Sequence, residues 1–183
     1  LYSSAASDVY KRQVLEIGAG TGQHAVFFAP HLPHLQWQTS DIAENLPGIA
    51  AWLAEFPAPN LHGPYELDVK QPDWPVAGVD GIFSANTTHI MHWPDVEQLF
   101  AGVGRILHSN GCFCLYGPFN YHGTYTSASN AQFDQWLRAR DPGSGIRDVD
   151  DLQTLAAQAG LELINDYVMP VNNRTLVWQK HSA

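Results

Sequence analysis

From Val14 onward, short apolar runs alternate with stretches whose apolar residues recur every three or four positions, the periods of strands and helices. Val14-Leu-Glu-Ile17 predicts a first strand, closed by Gly18-Ala-Gly20-Thr-Gly22. Gln23 to Ala29 follows as a helix with Ala25, Val26, Phe28 and Ala29 inward and Pro30 near its end. Leu35 to Thr39 alternates as a second strand and runs into Asp41. Leu46, Ile49, Ala50, Leu53 and Phe56 lie at helical spacing, with Pro47 in the first turn and Pro57-Ala-Pro59 as the stop. Tyr65 to Val69 predicts a third strand ending near Asp68, and Gly78 to Ala85 a fourth. A helix from about Pro94 to Leu107 carries the stripe Val96, Leu99, Phe100, Val103 and Ile106. Cys112 to Tyr116 is the fifth and most continuously apolar strand, the pattern of a sheet covered on both faces. A polar, aromatic stretch then reaches Asn130 and leads into a helix carrying Phe133, Trp136 and Leu137. Asp148 is placed to cap a further helix that Gly160 ends. Leu161 to Val168 and Thr175 to Gln179 are final strands around the turn Pro170-Val-Asn-Asn173.

Five strands separated mostly by helices, then a pair joined by a turn, predict a doubly wound α/β domain. Its sheet is seven-stranded and mostly parallel, with an antiparallel edge. A ligand belongs across the carboxyl ends of the strands, at the switch point beside the first. Leu1 to Gln13 shows no period and is expected to be an unstructured or non-native lead, leaving residues 14–183 as one domain.

Charge narrows the partners. Eighteen acidic against nine basic side chains give a net charge of -9, a field that repels phosphate backbones and anionic headgroups. Neither nucleic acid nor membrane is an expected partner, and no apolar run approaches the ~20 residues of a spanning helix. Cys112 and Cys114, two apart on one strand, lack disulfide geometry. They are expected as buried thiols of a core, consistent with a reducing, cytoplasmic setting. The scattered histidines and aspartates suggest no metal set.

The glycine loop carries the sharpest chemical signal. Glycines at alternate positions allow a tight turn and leave no Cβ between backbone and ligand, although such loops also form turns that hold nothing. Its register is not the Gly-x-Gly-x-x-Gly of dinucleotide sites, and Gln23-His24 stands where a triphosphate loop needs Lys-Ser or Lys-Thr. That register points to a nucleoside ligand without a triphosphate and away from a nicotinamide-dependent oxidoreductase. Asp41, nineteen residues past Gly22, is placed to accept both hydroxyls of a ribose; it could equally cap the helix that follows.

The segments VLEIGAGTGQHAVFFA, LQWQTSD, DGIFSANTTHIMHW, LYGPFNYHG, TSASNAQFDQWLRARDPGSGIRD and MPVNNRTLVWQK resemble a class I S-adenosylmethionine-dependent methyltransferase. More narrowly they are similar to the uncharacterised methyltransferase-like DUF938 family. The resemblance implies a Rossmann-like fold, S-adenosylmethionine as cofactor and methyl transfer to a small-molecule acceptor. Glu16, Gly18, Gly20 and Gly22 resemble the motif around the methionine portion. Asp41 resembles the residue on the ribose and Asp68 the residue beside the adenine, while Asn86 would sit near the sulfonium. Family members also carry an N-terminal helix over the site, where this chain has only the lead to Gln13.

The acceptor side is less defined. His89 follows the fourth strand and Tyr116 ends the fifth, so both are candidate catalytic residues facing the cleft. His92, Tyr121, His122 and Tyr125 are further candidates, and Arg138, Arg140 or Arg147 could hold a carboxylate. Asn86-Thr-Thr-His89 lacks the Asn-Pro-Pro-aromatic arrangement of base-methylating enzymes. Since in-line transfer needs little beyond alignment, a non-catalytic module that keeps the cofactor pocket is the alternative.

Overall fold

The computed structural model describes residues 12–182. In chain order the elements are β1 (Arg12–Ile17), α1 (Gln23–His31), β2 (Leu35–Asp41), α2 (Leu46–Glu55), β3 (Leu61–Glu66), β4 (Val79–Ala85), α3 (Trp93–Ile106) and β5 (Leu107–Gly117). They continue as β6 (Phe119–Tyr121), β7 (Thr124–Tyr125), α4 (Ala128–Arg140), β8 (Arg147–Asp148), α5 (Val149–Gln158), β9 (Leu161–Val168) and β10 (Arg174–Lys180). The large sheet has the order β3-β2-β1-β4-β5-β10-β9. Strand order reverses between β1 and β4, which places the switch point above Ile17 and Ala85. Among the described strands of this sheet only β10 runs antiparallel, between β5 and β9.

Side-chain alternation sorts the sheet into two faces. Leu15, Ile17, Ile82, Phe113, Leu115, Leu176 and Trp178 point to one face, where the α3 stripe Val96, Leu99, Phe100 and Val103 meets Leu152 and Ala156 of α5. Phe100, Phe113 and Trp178 lock this layer, with ring centroids 5.5 to 5.6 Å apart. On the other face Ala25 and Ala29 of α1 bury against Trp37, flanked by Phe28 and Phe83.

Several expectations shift. β1 opens at Arg12 rather than Val14, because Arg12 and Gln13 pair with Leu35 and Gln36; the rest of the expected lead, residues 1–11, lies outside the described residues. β3 ends at Glu66, so Asp68 lies beyond the strand. The strand instead begins at Leu61 and contains Gly63-Pro64, which it tolerates as the sheet's margin. Cys112 and Cys114 are half-buried, not core residues: alternation gives the α3–α5 face to Phe113 and Leu115 and turns both thiols away. Burial, then the neighbouring Cys112, pushes the Cys114 thiol up to about 11. The segment after Gly117 holds a second sheet, β7-β6-β8, with no apolar period to announce it. Asp148 caps α5 by accepting from the Asp150 N–H, and Gly160 takes its left-handed place beyond the helix, both as expected.

Candidate functional site

The loop after β1 is built to stay open. Gly18 and Ala19 both donate their N–H to the Ser40 carbonyl, at 3.1 and 3.0 Å, which folds the loop onto β2. Gly18 packs against Thr87, where an added Cβ would lie 2.4 Å from Cγ2. Gly20, at φ 61°, has nothing within 4 Å of where its Cβ would be. Above it lies a cavity of about 440 Å³, a usual size for a small-molecule site. Ile17, Leu67, Val69 and Ala85 supply apolar wall, and Gly18, Gly20, Asp41, Asn45, Asp68 and Asn86 supply polar groups.

Asp41 anchors one side. Its Oδ2 accepts from the Gly20 N–H at 2.7 Å, and its Oδ1 from the Ile42 N–H at 2.7 Å and Asn45 Nδ2 at 2.9 Å. A carboxylate offers roughly four lone-pair sites, so the cluster holds it rigidly and leaves acceptor capacity toward the cavity. Asp68 stands opposite, half-exposed, with its Oδ1 accepting from the Lys70 N–H at 3.0 Å and the Lys70 ammonium 3.6 Å away. Glu16 does not line the cavity. Its buried carboxylate faces α1, accepting from Trp37 Nε1 at 2.8 Å with His24 Nδ1 3.5 Å away.

Asn86 follows β4 in the left-handed region at φ 59°, its N–H donating to the Tyr116 carbonyl at 2.8 Å. A side chain held at positive φ here is the kind of constraint found at working sites. Asn86 also lines a second chamber of about 410 Å³, whose other walls are His89, Pro118, α4 residues Ser129, Asn130 and Phe133, and 171–173. The two cavities therefore adjoin through one residue.

His89 is 6% exposed, with its ring edge-on to Phe133 at 5.3 Å between centroids. Burial, then the charge of Arg147, lowers its pKa to about 4, so the imidazole is neutral at pH 7. Its Nδ1 is buried without a partner. Tyr116 lines neither cavity; its hydroxyl accepts from Asn173 Nδ2 at 2.9 Å, and Asn173 does line the chamber.

The remaining candidates sit in pairs elsewhere. His92 meets Asp141 and His122 meets Asp150, while Tyr121 donates to Asp166 and Tyr125 to Asp134. Arg138 pairs with Asp134, and Arg140 lies over the Trp136 ring. Arg147 is buried and donates to the carbonyls of Thr88, Met91 and Gly143, which ties the loop after β4 beneath His89. Desolvation lowers its pKa. Asn45 is foreshadowed by its position four residues after Asp41. Asn130, Phe133 and 171–173 carry no sequence signal, since they reach the chamber from separate elements.

Residues 3–180 match the model of the family described as a protein of unknown function, DUF938. The chain belongs to that family. Its fold is the Rossmann-like fold of class I methyltransferases. An O-methyltransferase family protein from Burkholderia thailandensis superposes with a TM-score of 0.83 at 13% identity, over 99% of this chain and 57% of that one. An O-methyltransferase family 2 protein from Planctomyces limnophilus, solved with apigenin, gives 0.81 at 16%, over 92% and 51%. The S-adenosylmethionine-dependent methyltransferase SibL gives 0.79 at 18%, over 98% and 53%. The chain thus spans about half the length of the structures it matches.

Proposed function

We propose that this protein transfers a methyl group from S-adenosylmethionine, held over the glycine loop, to a small molecule in the adjoining chamber. The observation that carries this reading is the pair of cavities sharing Asn86 at the switch point. One accommodates a nucleoside beside a fixed carboxylate; the other is an open recess whose lining carries no charged side chain among the described residues. The methyltransferase fold of the solved structures supports the same assignment.

Gly18 and Gly20 admit the methionine portion, while Gly22, where an added Cβ would lie 3.2 Å from Ile49, shapes the turn into α1, and Glu16 stands behind the loop against Trp37. Asp41 accepts a ribose hydroxyl, and Asp68 stands beside the adenine against Leu67 and Val69. Asn86 borders the sulfonium. The cofactor supplies an electrophilic methyl carbon; the protein's task is to align the nucleophile with it, where proximity gives most of the rate. His89 is the group placed to meet the acceptor, and Tyr116 holds Asn173 in the chamber wall. Isothermal titration with S-adenosylhomocysteine tests the reading. Saturable one-to-one binding is expected, and no heat at millimolar ligand would overturn it. Transfer of labelled methyl into a small-molecule fraction distinguishes an enzyme from a binding module.

A further inference from the structure

The chamber beyond Asn86 has a one-sided hydrogen-bonding character. Asn130 is 5% exposed, and its Nδ2 is spent on Thr126 Oγ1 at 2.9 Å and the Asn172 carbonyl at 3.1 Å. Because a backbone carbonyl only accepts, this fixes the amide with Nδ2 toward Asn172 and Oδ1 away from it. Oδ1 has no partner, yet unlike the sealed atoms of the interior it keeps access to the chamber its residue lines. His89 adds a second polar atom, with no hydrogen bond to fix its tautomer. Neither ring nitrogen has a hydrogen bond; Nδ1 is sealed, and Nε2 keeps access. Among the described residues no Asp, Glu, Lys or Arg lines the chamber, and the nearby Arg147 guanidinium is spent on three carbonyls.

Asn130 Oδ1, an acceptor, and His89 Nε2, an acceptor in the Nδ1–H tautomer, therefore face a space without a counter-charge among the described residues. A ligand bringing only lone pairs would leave both unmade, and an anion would also meet the carbonyl dipole of Asn130. Resting on the methyl-transfer reading above, we propose that the acceptor is a non-anionic molecule with two hydrogen-bond donors, O–H or N–H. One donor bonds Asn130 Oδ1; the other, on the atom to be methylated, bonds His89 Nε2. In the transfer, the acceptor's lone pair forms the new bond to the methyl carbon as the carbon–sulfur bond breaks. The sulfonium becomes a thioether, and the acceptor's proton passes to Nε2 and on to water. Phe133, in ring contact with His89, adds apolar wall to the chamber.

The test uses the chain saturated with S-adenosylhomocysteine and four probes: catechol, 1,2-diaminobenzene, 1,2-dimethoxybenzene and benzoate, with affinities read by ligand-observed NMR. Catechol and the diamine are expected to bind at least about tenfold tighter than the other two, the worth of one to two buried hydrogen bonds. His89→Phe should erase the preference and His89→Gln, which keeps an acceptor, should retain it; both are checked for a cooperative thermal transition. Equal ranking, no binding by any probe, tighter benzoate, or a preference that survives His89→Phe would overturn the acceptor class alone. Failure of the parent chain to bind S-adenosylhomocysteine would instead overturn the donor-site reading, and the acceptor class with it.

Discussion

Replacing Asp41 by alanine separates what the carboxylate does for the loop from what it does for a ligand. The side chain accepts three hydrogen bonds, from Gly20, Ile42 and Asn45. Ile42 and Asn45 are exposed and can turn to water once it is gone. The loop N–H of Gly20 loses a charged partner at 2.7 Å. With one such bond worth about 1.5–3 kcal/mol and the others largely replaced by water, the expected loss of stability is about 2–3 kcal/mol. A ribose hydroxyl on the one acceptor site that these three bonds leave would contribute a similar increment, so S-adenosylhomocysteine affinity should fall by about 1.5–3 kcal/mol, roughly tenfold to over a hundredfold in Kd. Urea denaturation reads the first quantity and calorimetric titration the second. A cooperatively folded Asp41→Ala chain whose Kd stays within threefold of the parent (a threefold change is about 0.7 kcal/mol) would refute the placement of the ribose.

Four further outcomes follow from the same geometry. Gly18→Ala, which sets a methyl 2.4 Å from Thr87 at φ 72°, should lose about 2–4 kcal/mol in urea. Gly20→Ala, with open space around it at φ 61°, should lose only about 1 kcal/mol but weaken S-adenosylhomocysteine binding more than stability. His89 has its pKa lowered from 6.5 to about 4 on folding, so the unfolded chain binds the extra proton in that window. Its contribution to stability is therefore full above pH 6.5, falls as pH drops toward 4 and is spent below it. The parent should lose up to about 3 kcal/mol more than His89→Gln between pH 7 and 4, in denaturation curves at stepped pH. Arg147→Lys, whose single ammonium cannot span the carbonyls of Thr88, Met91 and Gly143, should lose about 2–3 kcal/mol by the same assay.

What could be read from the sequence divides along local and non-local lines. The glycine register, Asp41 and Asn86 just after β4 were legible because each depends on a neighbouring element with a strong period. The Asp148 cap and the Gly160 terminus were legible for the same reason, as chemistry within one turn. β3 was misplaced because a Gly-Pro pair reads as a break, and only its position at the sheet margin makes it permissible. The thiols of β5 read as core because a continuous apolar run hides which residues face which way. The chamber was out of reach. Asn130 and Asn172 meet across forty-two positions, joining α4 to the turn before β10. Glu16 matched its motif, yet its carboxylate turns toward Trp37.

The order of residues along the two cavities has a consequence for how the protein is made. The described lining of the cavity over the glycine loop falls between Ile17 and Asp95, whereas that of the chamber extends to Asn173, delivered by the turn into the antiparallel β10. During synthesis from the N-terminus, the segments that line the first emerge while the last wall of the second is still to be translated. Because β10 must insert between β5 and β9, the long-range pairing that seats Asn173 closes a loop of more than fifty residues from Tyr116. A chain halted short of β10 would thus carry the walls of one compartment without the other, and a ligand of the first cavity is the natural reagent for following its assembly.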